Sequence, residues 1–391
     1  SLTGFNTVKR EGIALTSGVT ATVNADMQVG SLSETITVSG AAPLVDTQNV
    51  RKQTTATRDV IDALPTSTKR IDTLVTLTAG FTGVADVGGR YFAEPGAYHG
   101  KRGTKQYFDG MGIENSAGNS SYQVNAAVVE EMVMQTSGMS AETNADGPVM
   151  NVVPKEGSNT FKGIASGLFT NDKLEGTNLD QKLKDRGLTS PNKTNRIFDE
   201  AVSVGGPFKQ DKLWFFGAAR TWGMARQFAG LYWNRAQQLP AAQYTALTGL
   251  SPTMGATGGT AMEVMRYDPY TDRPFDSRSG RWEWYDSYLT RITWQATPKN
   301  KFNFLFDHQV ACNCGGTSAA SLNEPQASYR FEPNKFMQLT YNSPITSRLL
   351  LEVGVGASIS QWNAFYQTGT QANTVSIVDQ GLGKTYGAVA T

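Results

Sequence analysis

The sequence predicts a mainly β chain: an incomplete antiparallel transmembrane β-barrel in the C-terminal half, a compact α/β domain ahead of it, and the end of a small β-sandwich in front. Three observations carry this: long stretches of alternating apolar and polar residues, connections that alternate between short and long, and a composition suited to strands and turns. The 40 Gly and the 10% aromatic content, with frequent Thr, Ser and Asn, favour strands and turns over packed helices. No run of ~18 apolar residues occurs, which excludes a transmembrane helix and leaves a membrane barrel open.

The alternation is clearest after Pro154. In Trp282 to Gln295, Trp282, Trp284, Tyr288, Ile292 and Trp294 share one face, and Glu283, Ser287, Arg291, Thr293 and Gln295 share the other. Phe302, Phe304 and Phe306 alternate with Asn303, Leu305 and Asp307; Met337, Leu339 and Tyr341 alternate with Gln338, Thr340 and Asn342. From Leu349, the residues Leu351, Val353, Val355, Ala357 and Ile359 alternate with Glu352, Gly354, Gly356, Ser358 and Ser360. Runs of this kind match a tilted bilayer crossing of ~9 to 11 residues, where soluble strands average ~5 to 6.

Seven strands are expected, near Phe161–Phe169, Arg196–Gly205, Leu213–Trp222, Trp282–Gln295, Lys301–Val310, Tyr329–Tyr341 and Leu349–Gln361. Short turns fall at Gly206 to Lys212, Ala296 to Asn300 and Asn342 to Thr346, and long polar segments at Thr170 to Asn195, Gly223 to Gly280 and Cys312 to Ala327. Membrane barrels show that asymmetry between their two ends. An odd number of strands with open edges cannot close in lipid, so the barrel is expected to be incomplete.

Ahead of Pro154 the pattern changes. Residues 1–40 hold short strands at Gly12 to Leu15, Thr20 to Asn24 and Ser33 to Val38, too few for a core of their own. Residues 41–56, with Pro43, form an extended linker. Residues 57–156 form the α/β domain, in which Val60, Ile61 and Leu64, then Ile71, Leu74, Val75 and Leu77, recur at helical spacing. Buried strands are expected at Gln106 to Asp109 and Gly147 to Val153. The barrel strands and their long loops occupy 157–391. A start at Ser1, without Met or the regions of a signal peptide, is expected of a processed form or a fragment.

Several motifs together resemble the TonB-dependent outer-membrane receptors. Arg102-Gly103 followed by Tyr107-Phe108-Asp109-Gly110 resembles that family's Arg-Gly, apolar pair, Asp-Gly motif in the plug, the globular domain that stoppers the barrel. Asn125 to Lys155 resembles the plug segment that leads through a loop containing Gly147 into an apolar strand, although the loop itself, Glu142 to Pro148, departs from the family's usual glycine steps. Lys155-Glu156-Gly157-Ser158-Asn159 and Gly205-Gly206-Pro207-Phe208, with Asp211 to Phe216, resemble the Oar-like branch, where a carboxypeptidase-regulatory-like sandwich precedes the plug.

Glu34-Thr35-Ile36-Thr37-Val38 resembles the TonB box, a strand-forming segment that adds to the edge of a partner sheet. Its other reading is the last strand of the N-terminal sandwich. The resemblance implies energised transport, with TonB in the periplasm, outer-membrane lipid and an unidentified extracellular ligand as partners. It implies plug-scaffold roles for Arg102, Gly103, Asp109, Gly110 and Gly147. An adhesin or structural barrel that moves nothing, export of a protein, and a secreted soluble β-protein are the alternatives.

Catalytic chemistry is not expected. Charge is balanced, 35 Lys+Arg against 34 Asp+Glu, so nucleic acid is not an expected partner. His99 and His308 are the two histidines, and no nucleophile elbow, phosphate loop or metalloprotease helix is present. Glu130-Glu131 reads as a solvated turn of a plug helix. Cys312 and Cys314, beside His308, lack a fourth metal ligand nearby, and a local disulfide is the readier reading. No cofactor or metal is expected. Trp214, Phe216, Trp222, Tyr232, Trp233, Trp282 and Trp284 are read as girdle residues at the membrane interface.

Overall fold

A computed structural model describes residues 7–11, 35–39, 52–64, 75, 78–82, 97–101, 103–113, 122–139, 143–145, 147–188, 191–227, 242–243, 246, 253–257, 260–263, 283–314, 328–366, 370, 373–381 and 384–387. Near the N-terminus, β1 (Thr7–Glu11) pairs in parallel with β2 (Thr35–Ser39). The strands expected at Gly12 to Leu15 and Thr20 to Asn24 lie outside the described residues.

The middle of the chain folds around a five-stranded sheet. Its members are β3 (Lys52–Thr57), β6 (Lys105–Phe108), β7 (Met111–Gly112), β8 (Val129–Ser137) and β9 (Val149–Pro154), in the order β3-β8-β9-β6-β7. Between β3 and β6 come the helix α1 (Arg58–Ala63) and a small pair, β4 (Phe81–Thr82) and β5 (Ala97–Tyr98). One boundary and one element differ from expectation. The linker ends earlier, because Lys52 to Thr57 pair antiparallel with Ser137 to Glu131 and so belong to this sheet. Glu130 and Glu131 lie within β8, where strand pairing overrides local polarity, and Glu130 simply points to solvent.

The C-terminal half is one antiparallel sheet of seven strands: β10 (Lys162–Asn171), β11 (Lys193–Lys209), β12 (Leu213–Gln227), β15 (Glu283–Thr297), β16 (Asn300–Asn313), β17 (Ser328–Thr346) and β18 (Leu349–Phe365). All seven expected strands are present and each runs longer than expected. The connections contain a helix, α2 (Gln181–Asp185), and a hairpin of β13 (Thr253–Thr257) and β14 (Thr260–Glu263); another hairpin, β19 (Ser376–Asp379) with β20 (Lys384–Gly387), follows the sheet. The short turn expected at Asn342 to Thr346 lies instead at Ser347-Arg348, because Tyr341 to Thr346 stay paired with β18. The described sheet is open, with β10 and β18 as its edges.

The pleat sorts this sheet into two faces. On β15, Tyr285, Ser287, Leu289, Arg291 and Thr293 are buried, while Tyr288 and Trp294 are about half exposed. Neighbouring strands keep the parity: Phe216, Ala218, Arg220 and Trp222 of β12, and Asn303, Leu305, Asp307 and Gln309 of β16, face the same way. The opposite face carries Val202, Val204, Phe304, Leu339, Val353 and Val355, all exposed. Phe216 and Trp222 are therefore inner-wall residues and not girdle residues. Trp222 stacks on Tyr285, with Arg220 over its ring at 4.3 Å. Trp214 donates from its indole nitrogen to Asn159, and Tyr232, Trp233 and Trp282 lie outside the described residues.

The middle domain packs against the inner face of the sheet. One apolar core runs through both: Ile61, Phe108, Tyr122, Val128, Met132, Met150 and Val152 of the domain meet Phe216, Ala218, Leu289, Leu305 and Phe336 of the wall. Phe336, fully buried, contacts the rings of Phe108 at 5.6 Å and Tyr122 at 5.1 Å. Phe336→Ala is expected to cost about 3–5 kcal/mol, the range for a truncated buried aromatic. Limited proteolysis of the folded protein checks this: the middle domain should become cleavable in Phe336→Ala and stay protected in Phe304→Ala. Equal protection in both would contradict the shared core.

Candidate functional site

The seat between the middle domain and the wall has two polar parts. The first lies around the segment Tyr122 to Asn125. The Tyr122 hydroxyl donates to Asp307 Oδ2 at 2.8 Å, and Ser287 Oγ donates to Asp307 Oδ1 at 3.0 Å. Gln309 reads the backbone of Gln123 on both sides: its Nε2 donates to the Gln123 carbonyl at 2.7 Å, and its Oε1 accepts from the Gln123 N–H at 3.2 Å. Tyr285 and Asn334 complete the set, Asn334 Nδ2 donating to the Tyr285 hydroxyl at 2.7 Å. Asn125 caps the following turn through Ala127 and reaches Ser287 Oγ at 3.3 Å.

These groups are buried, so each bond is made in a medium where an unmade one is costly. Burial first, and then the charge of Asp307 and its hydrogen bond, push the Tyr122 phenol well above its usual range, which keeps it a donor.

The second part is ionic and lies nearer the short turns. Arg291, 4% exposed, donates from Nη1 to the Pro154 carbonyl at 3.1 Å and from Nη2 to Glu156 Oε1 at 2.7 Å. Its Nη2 also lies 3.3 Å from Asp109 Oδ2, and Lys301 Nζ holds Glu156 Oε2 at 3.0 Å. A single wall arginine thus joins the end of β9, the segment leading into the barrel and the tip of the β6–β7 hairpin. That tip is Asp109-Gly110, with φ of 50° and 79°. Two successive left-handed residues are what a two-residue hairpin turn of the favoured hand requires, and Asp-Gly supplies them. Gly110 N–H donates to Asn151 Oδ1, and Gln338 Nε2 donates to the Asp109 carbonyl at 2.9 Å.

The lead into the barrel is pinned as well. A Cβ on Gly157 would lie 2.7 Å from Trp214 Cβ, so only glycine passes there. Asn159 then accepts from the Asp211 N–H at 2.9 Å and from the Trp214 indole at 2.7 Å.

Of the residues singled out in the sequence, Asp109 and Gly110 reach this seat. Gly103, at φ 115°, has its carbonyl 3.5 Å from where a Gly147 Cβ would be, so these two glycines adjoin one another. Arg102 and Glu34 lie outside the described residues. Thr35 to Val38 lie in β2, paired with Thr7 to Arg10. Cys312 and Cys314 are joined by a disulfide where β16 ends. Among the described residues no group of three or more His, Cys, Asp or Glu is placed to hold a metal. Sequence reading missed Tyr122, Glu156, Arg291, Asp307 and Gln309 as seat residues, although Arg291 and Asp307 carried a signal: a charge at mid-strand on the face opposite the aromatics.

Removing Arg291 leaves two carboxylates facing each other. Arg291→Met is expected to cost about 1–3 kcal/mol, since the carboxylates left behind are 21% and 37% exposed and keep part of their hydration, read as a lower urea midpoint for release of the middle domain. Burial holds the Asp109 carboxyl above its ordinary value of 3.8 and outweighs the opposing pull of Arg291. The folded state then binds this proton more tightly than the unfolded state, so the contribution is complete below pH 3.8 and is lost as pH rises through the folded value. Asp109→Asn, which keeps the turn, should flatten the pH dependence of that midpoint just above 3.8; an unchanged slope would contradict the assignment.

No model of a protein family matches the chain. Over 224 residues, 54% of the chain, it is 25% identical to the TonB-dependent transporter Oar of Myxococcus xanthus, and the match spans about a fifth (20%) of that relative's length. The fold is similar to that of the outer membrane transporter YddB of Escherichia coli, with a TM-score of 0.51 and 12% identity, over 78% of this chain and 38% of that one. The siderophore receptor PirA of Pseudomonas aeruginosa aligns with a TM-score of 0.44 and 14% identity, over 80% of this chain and 41% of that one. Sequence likeness over half the chain and fold likeness over most of it agree: the chain resembles a TonB-dependent transporter in sequence, spans well under half the length of the proteins it matches, and shares the plug-and-barrel fold of an outer membrane transporter.

Proposed function

We propose that the chain serves TonB-dependent, energised transport of a solute across the outer membrane, in an Oar-like arrangement with a carboxypeptidase-regulatory-like sandwich ahead of the plug. One observation carries this reading most: the plug is seated by a buried polar network on the inner wall, and a barrel that moved nothing would need no removable stopper. The wall meets lipid through its apolar outer face, where Val204, Phe304 and Val355 are exposed. A non-enzymatic role fits the relative that the chain resembles, a transporter, and in the seat the titratable groups pair with one another across plug and wall.

TonB is assigned to Glu34 to Val38. Among the described residues β2 pairs with β1 along one edge, and a strand of TonB would add along the other. A pull transmitted from β2 reaches the plug through β3, whose partner β8 leads back to the seat.

The assignment is tested by placing a cysteine at Ile36 of the full-length protein and scanning cysteines along TonB in cells. A disulfide-linked complex is expected from Ile36→Cys, along with loss of ligand-stimulated complex when Glu34 to Val38 are deleted. Complex formation that survives the deletion would sink the assignment.

A further inference from the structure

At the end of the sheet away from the short turns, β16 stops one residue before its partner does. The ladder from β16 to β17 runs from Cys312 to Arg330 and from Asn313 to Tyr329, so the next pair in register is Cys314 with Ser328. That pair is not made, although Ser328 belongs to β17 and is paired with Phe365 of β18. In its place the Ser328 hydroxyl donates to the Cys314 carbonyl at 2.8 Å.

The disulfide accounts for the stop. Residues two apart in a strand point the same way and stand about 6.4–6.8 Å apart, twice the rise per residue. A disulfide brings their Cβ atoms to within ~3.5–4.5 Å, which an extended chain does not allow. Bonding Cys312 to Cys314 therefore folds the chain inward, and their Cα atoms lie 5.1 Å apart. The bond and an extended Cys314 exclude one another.

The two sulfurs are unequally placed. Cys312 is 4% exposed, whereas Cys314 is partly exposed. Trp284 of β15 and Arg330 of β17 flank Cys312 in register. The Arg330 guanidinium lies 6.0 Å from the centre of the Trp284 ring, which carries it across β16 above Cys312. Glu332 holds the same guanidinium at 2.9 Å. A nucleophile arriving from water thus meets Cys314 first, and the sulfur it displaces is that of Cys312, under a cation that stabilises a thiolate.

We propose that Cys312–Cys314 is a thiol-exchange site and that exchange releases the stop on β16. A small thiolate forms a bond to Cys314 Sγ, and the bond between the two cysteines breaks. Its electron pair stays on Cys312 Sγ, which then takes a proton from water. The thiol remains on Cys314 as a mixed disulfide. With the ring open, Cys314 extends and takes up the ladder position opposite Ser328. Attack by the Cys312 thiolate on Cys314 expels the thiol and restores the stop, so the cycle consumes no oxidant. The device is independent of whether the chain moves a solute.

The test uses the full-length protein in detergent, given mercaptoethanesulfonate and followed by mass spectrometry of the peptide that holds both cysteines. The adduct is expected on Cys314, about tenfold in excess over Cys312. Arg330→Met, which keeps most of the cover and removes the charge, is expected to slow its formation about threefold. Amide hydrogen exchange then reads the strand. At Cys314 it should slow about tenfold once the ring is opened by the thiol, and it should be slow without any thiol in the double variant Cys312→Ser, Cys314→Ser. An adduct mainly on Cys312, a rate indifferent to Arg330→Met, or hydrogen exchange at Cys314 that is no slower in either opened form would overturn the proposal.

Discussion

The constraint on which the rest depends is that the inner wall of this sheet carries polar groups that need partners. Asp307 sits fully buried on β16, and a carboxylate there is tolerated only if hydrogen bonds replace its hydration. Tyr122 of the plug and Ser287 and Gln309 of the wall supply them. Gln309 meanwhile holds both polar groups of one plug peptide, which fixes the register of plug against wall. Sliding the plug by one residue would leave several of these groups unpaired at once.

Apolar packing and polar pairing divide the work. The shared core of Phe108, Leu289, Leu305 and Phe336 is non-directional and accounts for adhesion, while the network around Asp307 accounts for orientation. The ionic part around Arg291 has another character. Glu156 and Asp109 are more exposed than Arg291, so that part is better solvated and yields at lower cost. If the plug opens as the transport proposal requires, one firm side and one better solvated side serve it well.

The same pleat that turns Asp307 inward turns Phe304 and Phe306 outward, and the apolar outer face of the sheet follows without further design. Glycine on the inner face of β18 has a different effect, because it leaves space where other strands have side chains that grip the plug.

Much of this was legible in the residues. The seven long strands, their two faces and the Asp109-Gly110 turn follow from local rules: a period of two, a length that spans a bilayer, and two residues that tolerate left-handed backbone. Parity alone also marked Arg291 and Asp307 as inward. What local rules could not supply was who would meet them. The plug partners of Asp307 and Gln309 lie more than a hundred residues earlier, in a stretch with no pattern beyond a tyrosine and two amides, and chain folding alone brings them together. Aromatics misled for the related reason that Trp222 and Phe216 have the same character on either face, and only the pleat of the assembled sheet decides which one they occupy. Glu130 and Glu131 likewise read as helix by polarity, yet pairing with β3 and β9 made them strand, because backbone hydrogen bonds to neighbours distant in sequence outweigh local preference.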